Sequence, residues 1–183
     1  MIAHIDVTNI RIETDRLILR PWKESDLTDL YTYASVPGVG EMAGWNHHKS
    51  VEESRQILDM FIKGKKTLAL ELKENEKVIG SLGLEEQDPD PEKNGKLGRE
   101  IGYVLSKDYW GKGLMPEAVN AIIHYCFSML NWDYLTCGHF LHNTQSKRVV
   151  EKAGFVYFGE SRFETRYDTV ETSRNYVLYN PNK

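Results

Sequence analysis

The sequence predicts one mixed α/β domain in which helices flank a central sheet. Segments with the two-residue period of strands interleave with segments of helical period in the order β-α-α-β-β-β-α-β-α-β-β. That order mixes hairpins with crossover helices and contains no internal repeat, so neither a bundle nor a solenoid accounts for it. A length of 183 residues with 40% hydrophobic content supports a single domain spanning 1–183 with a substantial core.

Residues 16–20 (RLILR) alternate charge and aliphatic side chains and read as a first strand, interrupted by Pro21 and Trp22. Ser25 is positioned to cap a helix to Ala34, in which Leu27, Leu30, Tyr31 and Ala34 share a face and Asp26 and Asp29 favour the positive end of the dipole. Residues 36–50 break the pattern. Pro37, Gly38, Gly40 and Gly44 occur there together with Met42, Trp45, His47 and His48, the composition of a flexible binding lid as much as of a plain connector. Ser50 and Glu53 form a capping-box pattern ahead of the apolar stripe Ile57, Leu58, Phe61 and Ile62, which stops at Gly64.

Residues 67–72 and 78–84 predict an antiparallel hairpin around a polar turn at 73–77. Residues 87–96 (QDPDPEKNGK) hold two prolines and an Asn-Gly pair, an exposed loop too short to be an interdomain linker. Then come a strand at 98–106, the most apolar helix at 116–130, a strand at 134–140, a helix at 143–153 stopped by Gly154, and closing strands at 155–160 and 175–179.

A formal charge of -4 lacks the basic footprint of a nucleic-acid-binding protein, so no direct nucleic-acid partner is expected. No apolar stretch approaches the roughly 20 residues that span a bilayer, and residues 1–6 lack a signal-peptide layout. The expectation is a cytoplasmic protein with no membrane partner. Cys126 and Cys137 both lie in apolar segments, where buried thiols are commoner than a disulfide.

The chemistry concentrates at 103–118, YVLSKDYWGKGLMPEA, where a strand runs through Gly111, Lys112 and Gly113 directly into the long helix. Glycines let the backbone come close to a ligand, and the unpaired N–H groups of the first helical turn face outward at the positive end of the dipole, which suits phosphate. Proline at 116 and the absence of Gly-Lys-Ser/Thr set the segment apart from the dinucleotide and P-loop fingerprints. One strand further on lies 143–155, NTQSKRVVEKAGF. Asn143 there is a plausible helix N-cap with Ser146 at the third helical position.

WGKGLMPEA followed by NTQSKRVVEKAGF, with TDRLILRPW near the N-terminus and EIGYVL before the loop, resembles the GNAT superfamily of acyl-CoA-dependent N-acetyltransferases. The likeness is to the RimJ/RimL type, which includes ribosomal-protein N-terminal acetyltransferases, and covers about 14–178. It implies the GNAT fold: a central mixed, mostly antiparallel sheet splayed at the cofactor site. It also implies acetyl-CoA as cosubstrate, with pyrophosphate on the amides of Tyr109, Trp110, Gly111, Lys112, Gly113 and Leu114. The family loop often opens with Arg or Gln where this chain has Asp108, leaving amides and Lys112 to hold phosphate. The pantetheine arm would lie between the strands at 99–106 and 134–140 and bond to Asn143. A backbone N–H near Val104 or Leu105 would polarise the thioester carbonyl.

The family's tyrosine acid aligns with Val150, so Ser146 becomes the candidate that protonates the leaving thiolate. Glu100 is the candidate base, acting directly or through water, and an exposed strand carboxylate is its plain alternative. Trp45, His47 and His48 are assigned to the acceptor side, shaped together with the hairpin at 162–173. His139 and His142 lack a completing ligand, so no metal is expected, and Cys126 and Cys137 fall in a predicted helix interior and strand interior, so no covalent acyl intermediate through cysteine is expected. The reading is direct attack by a primary amine acceptor, such as a protein N-terminus. Its rivals are acetylation of a polyamine, amino acid or antibiotic, and a CoA-binding regulatory module without turnover. Tyr176, Leu178 and Tyr179 in the last strand permit a homodimer.

Overall fold

The computed structural model describes residues 1–86 and 95–183, so most of the loop expected at 87–96 lies outside the described residues. The strands are β1 (Ile12–Glu13), β2 (Leu17–Pro21), β3 (Thr67–Leu72), β4 (Lys77–Glu85), β5 (Gly98–Leu105), β6 (Tyr134–Phe140), β7 (Val156–Glu164) and β8 (Val170–Tyr179). The helices are α1 (Leu27–Ala34), α2 (Val51–Gly64), α3 (Leu114–Ser128) and α4 (Thr144–Lys152). The strands form one sheet in the order β1-β2-β3-β4-β5-β6-β8-β7, antiparallel throughout except where β6 lies parallel to β5. The mixed, mostly antiparallel sheet expected from the resemblance is the one observed.

The sheet separates two cores. On one face, Leu17, Leu19, Leu82, Leu84, Ile101 and Leu105 pack against Leu114, Val119 and Ile122 of α3 and Val149 and Val150 of α4. On the other, Ala69 and Val78 pack against Leu30 and Tyr33 of α1 and Leu58 of α2, with Val104 at the margin. Each fully buried Leu or Ile contributes about 2 kcal/mol of transfer free energy, and strand alternation delivers these side chains to their faces. Arg20 pins the chain reversal after β2 through Asp26 (2.8 and 2.9 Å) and Glu71 (2.6 Å).

Several boundaries differ from the sequence reading. Ser25 caps nothing: a 3-10 turn at Glu24–Asp26 precedes α1, and the Asp26 carboxylate accepts from the Lys23 N–H at 2.8 Å. Ser50 caps α2 through the Glu53 N–H as expected, but the Glu53 carboxylate reaches the Lys49 N–H, and Lys65 rather than Gly64 takes the left-handed closing conformation. The closing hairpin β7–β8 is longer than its apolar pattern suggested, because residues 160–164 and 170–174 carry only Phe163 and Val170 as apolar side chains and so show no apolar alternation.

The parallel pairing of β5 with β6 ends at Ile101 opposite Cys137, although β5 continues to Leu105 and β6 to Phe140. The next residues are Gly102 and Gly138, so no side chain fills the fork where the strands part. β6 instead stays with β8 through Phe140, and β5 stays with β4.

Candidate active site

The fork opens toward the junction of β5 and α3. Of the loop amides expected to hold phosphate, two are used internally: Tyr109 N–H donates to the Ser106 carbonyl (3.0 Å) and Trp110 N–H to that of Lys107 (3.2 Å) within the 3-10 turn Lys107–Tyr109. Both assignments move off the backbone for that reason. Trp110 serves otherwise, its indole N–H closing on the Leu105 carbonyl at 2.7 Å. Amides of Gly111, Lys112, Gly113, Leu114 and Met115 have no protein acceptor among the described residues. Gly111 and Gly113 stand at φ +74° and +75°, the left-handed region that turns successive N–H groups to one side and makes an anion nest at the head of α3. Lys112 is exposed, its ammonium 5.0 Å from the Tyr109 ring, and Asp108 is exposed on the turn before it.

Strand alternation decides between Val104 and Leu105. Ser106 N–H donates to the Ile79 carbonyl of β4, so Val104 N–H faces β4 as well, whereas Leu105 N–H faces the fork. Ser146, at the first turn of α4, is 7% exposed with its hydroxyl 2.8 Å from that of Tyr103. Tyr103 lies on β5 beyond the last β5–β6 pair, so its phenol bridges the fork to α4. Burial, above all, holds it well above the usual phenol range, and it remains a neutral donor. Asn143 caps α4 by accepting from the Ser146 N–H (3.0 Å), while its amide donates to the Met42 carbonyl (3.2 Å). It is thus both the helix cap and an anchor for the 3-10 turn Glu41–Ala43.

Glu100 occupies the opposite face, that of α1 and α2. It stands in register with Glu85 on β4 and Thr136 on β6. The Lys66 ammonium pairs with the Glu85 carboxylate at 2.7 Å. Burial first, and the Glu85 charge second, push the Glu100 carboxyl up to about 7. Beside it, the buried Thr136 hydroxyl has no hydrogen-bond partner among the described residues.

The segment expected to be a mobile lid is instead strapped into place. His47 meets the Glu41 carboxylate at 2.8 Å, and Glu41 also accepts from the Gly38 N–H. Burial pushes that carboxyl up, but these hydrogen bonds outweigh it and leave it below its ordinary range. The β7–β8 hairpin adds the Arg166 N–H on the Gly44 carbonyl (2.8 Å), the Tyr167 hydroxyl on the Glu41 carbonyl (3.1 Å), and Phe163 against Gly44. The 3-10 turn Glu41–Ala43 thereby becomes a wall beside β5 and β6. His48 does not face an acceptor. It is 5% exposed, bonded to Ser54 (2.7 Å) under the Trp45 ring, and burial lowers its pKa so that it packs as a neutral imidazole. Trp45 and His47 remain partly exposed along the wall.

Both cysteines are free and buried, and burial pushes the Cys137 thiol up to about 12 and that of Cys126 higher. His139 is engaged by the Phe140 carbonyl and the Tyr176 hydroxyl, and no group of three or more potential metal ligands occurs among the described residues. No helix among them is long and apolar enough to cross a membrane. Tyr103, Glu85 and Thr136 were not singled out from sequence. The usable signal was parity, since Glu100 and Tyr103, three apart on one strand, must point to opposite faces.

Residues 16–156 match the acetyltransferase (GNAT) domain family. The chain is 31% identical over 147 residues to the uncharacterized N-acetyltransferase p20 of Bacillus licheniformis, spanning 78% of this chain and 80% of that protein. A GNAT-family acetyltransferase from Bacillus anthracis superposes with a TM-score of 0.81 at 21% identity, covering 93% of this chain and 99% of that one. The ribosomal-protein-S5-alanine acetyltransferase from Vibrio fischeri gives 0.73 at 22% identity, covering 95% and 98%.

Proposed function

Because the chain belongs to the GNAT family and is an acyl-CoA-dependent N-acetyltransferase, we propose that it moves acetyl from acetyl-CoA to a protein N-terminal α-amine by direct attack in a ternary complex. The observation that carries this reading is the fork beyond Ile101 and Cys137, which leads from the unpaired amides at 111–115 to Glu100 on the far face. The pantetheine arm enters between β5 and β6 from the α3 side, and the amine approaches from the α1 and α2 side. Glu100 takes the amine proton, directly or through a water shared with Thr136. The Leu105 N–H, aimed into the fork, stabilises the tetrahedral oxyanion. Ser146, backed by Tyr103, hydrogen-bonds the departing thiolate. A base titrating near 7 suits an α-ammonium of pKa about 7.8 better than a lysine of about 10.4, and the likeness to a ribosomal-protein acetyltransferase agrees with a protein acceptor.

The test is thiol release from acetyl-CoA against a panel of N-terminal peptides, lysine peptides, polyamines and amino acids. The proposal requires the N-terminal peptides to give the highest kcat/KM, and binding of acetyl-CoA with no release from any acceptor would leave only a binding module. Gly113→Val places a β-branched residue at φ +75°, where the backbone is strained and the nest is covered. Calorimetry should show acetyl-CoA affinity reduced at least tenfold. Trp45→Ala removes part of the wall and should raise the acceptor KM several-fold, with acetyl-CoA affinity within twofold of the parent. The reverse pattern would assign Trp45 to the cofactor.

A further inference from the structure

The turn before β2 is tied to the head of α3 by Arg16, a residue about a hundred positions away in sequence. Its Nη1 donates to the Lys112 carbonyl at 2.9 Å, its Nε donates to Glu117 Oε2 at 2.7 Å, and its Nη2 lies 2.7 Å from the same oxygen. Glu117 Oε1 accepts from the Arg16 N–H (2.9 Å) and the Thr14 hydroxyl (2.6 Å). The turn is itself closed by Thr14 N–H on the Leu17 carbonyl and Leu17 N–H on the Thr14 hydroxyl, both 2.9 Å. Arg16 is therefore rigidly aimed although its side chain is 47% exposed.

We propose that Arg16 is a positioning residue of the anion nest, holding the Lys112 carbonyl so that the Gly113 N–H points at the cofactor pyrophosphate. The inference rests on the acetyl-CoA reading above. In a planar trans peptide the carbonyl and the following N–H point in opposite directions, so fixing one aims the other. Among the described residues that peptide has no other anchor: apart from the chain neighbours, nothing but Arg16 Nη2, at 3.6 Å, stands within 4 Å of where a Gly113 Cβ would be. The carbonyl accepts from a charged donor, which polarises the peptide and strengthens its N–H as a donor. Direct attraction between Arg16 and phosphate is secondary, because Glu117 already neutralises the guanidinium.

Three proteins and two acyl donors test this. Parent, Arg16→Gln and Arg16→Lys are compared by calorimetry with acetyl-CoA and by kcat/KM with acetyl-CoA and with S-acetylpantetheine, which lacks the pyrophosphate. Lysine can pair with Glu117, but its donors all sit on one nitrogen, which cannot span Glu117 and the Lys112 carbonyl as the separate guanidinium nitrogens do, so both variants should bind acetyl-CoA about tenfold more weakly. Their kcat/KM with S-acetylpantetheine should stay within twofold of the parent. Acetyl-CoA affinity in Arg16→Lys equal to that of the parent, or equal losses with both donors, overturns the positioning role and leaves the acetyl-CoA reading standing. Failure of the parent to bind acetyl-CoA overturns both.

Discussion

Glu100→Gln is expected to lower kcat/KM about tenfold at pH 7 and only a few-fold at pH 8 with an α-amine acceptor, and a hundredfold or more with a lysine-type amine. The difference comes from the acceptor. At pH 7 an α-amine of pKa about 7.8 is roughly 14% neutral, whereas a lysine amine of about 10.4 is roughly 0.04% neutral. A base acts only when ionised, so the parent's kcat/KM should rise with pH through an inflection near 7, where burial and Glu85 place Glu100. In Glu100→Gln that limb disappears and the titration of the amine itself remains. Glu85→Gln removes the neighbouring charge, so the limb should move to lower pH; a profile identical to the parent's would exclude coupling between the two carboxyls. Stability supplies a readout independent of turnover. A carboxyl whose folded pKa is raised contributes stability that is present below its unfolded pKa, near 4.5, and is lost as pH rises through about 7. Glu100→Gln should therefore melt several degrees above the parent at pH 8.5, with the gap narrowing toward pH 4.5. Equal melting differences at both pH values would mean that Glu100 is not a raised acid.

The parts of the site legible in sequence were those built from consecutive residues. Gly111, Gly113 and the first turn of α3 announce an anion nest because the conformations that make it belong to neighbouring residues, and Asn143 with Ser146 announces a cap for the same reason. Glu100 was visible as a carboxylate on a strand, but its titration near 7 depends first on burial and then on Glu85 in register on β4, neither of which any local pattern specifies. Arg16, Tyr103 and the wall at residues 36–50 were hidden by the same cause at longer range. Arg16 meets Lys112 and Glu117 across about a hundred positions, and Tyr167 meets Glu41 across 126. Periodicity reports which way a side chain faces and is silent on what arrives there. The glycine-rich composition at 36–50 therefore suggested mobility, when those glycines admit Phe163 and Trp45 at close quarters.

Ser146→Ala should lower turnover roughly tenfold to a thousandfold and leave acetyl-CoA affinity nearly intact. The substitution isolates the hydroxyl, because the cap on α4 runs from the Ser146 backbone N–H to Asn143 and survives in alanine. An ordinary alkyl thiol of pKa about 8.5 can leave unprotonated, so the hydroxyl assists rather than enables the step, which bounds the loss. On the proposed mechanism, Tyr103 replenishes the proton that Ser146 gives up. Its phenol lies 2.8 Å from the Ser146 hydroxyl and is held neutral, so Tyr103→Phe should give a smaller loss of the same kind. If the two hydroxyls act as one chain, the double variant should be hardly worse than Ser146→Ala alone, whereas multiplied losses would mean independent roles. A purely structural Ser146 would lower activity equally for every acyl donor. Thiolate stabilisation predicts that the deficit shrinks as the leaving thiol becomes more acidic, so turnover of parent and Ser146→Ala should be compared across thioesters of graded thiol pKa, in the range where chemistry limits the rate. A deficit that is constant across that series, or absent altogether, makes Ser146 a buried helix-end residue and transfers the proton-donor role to another group.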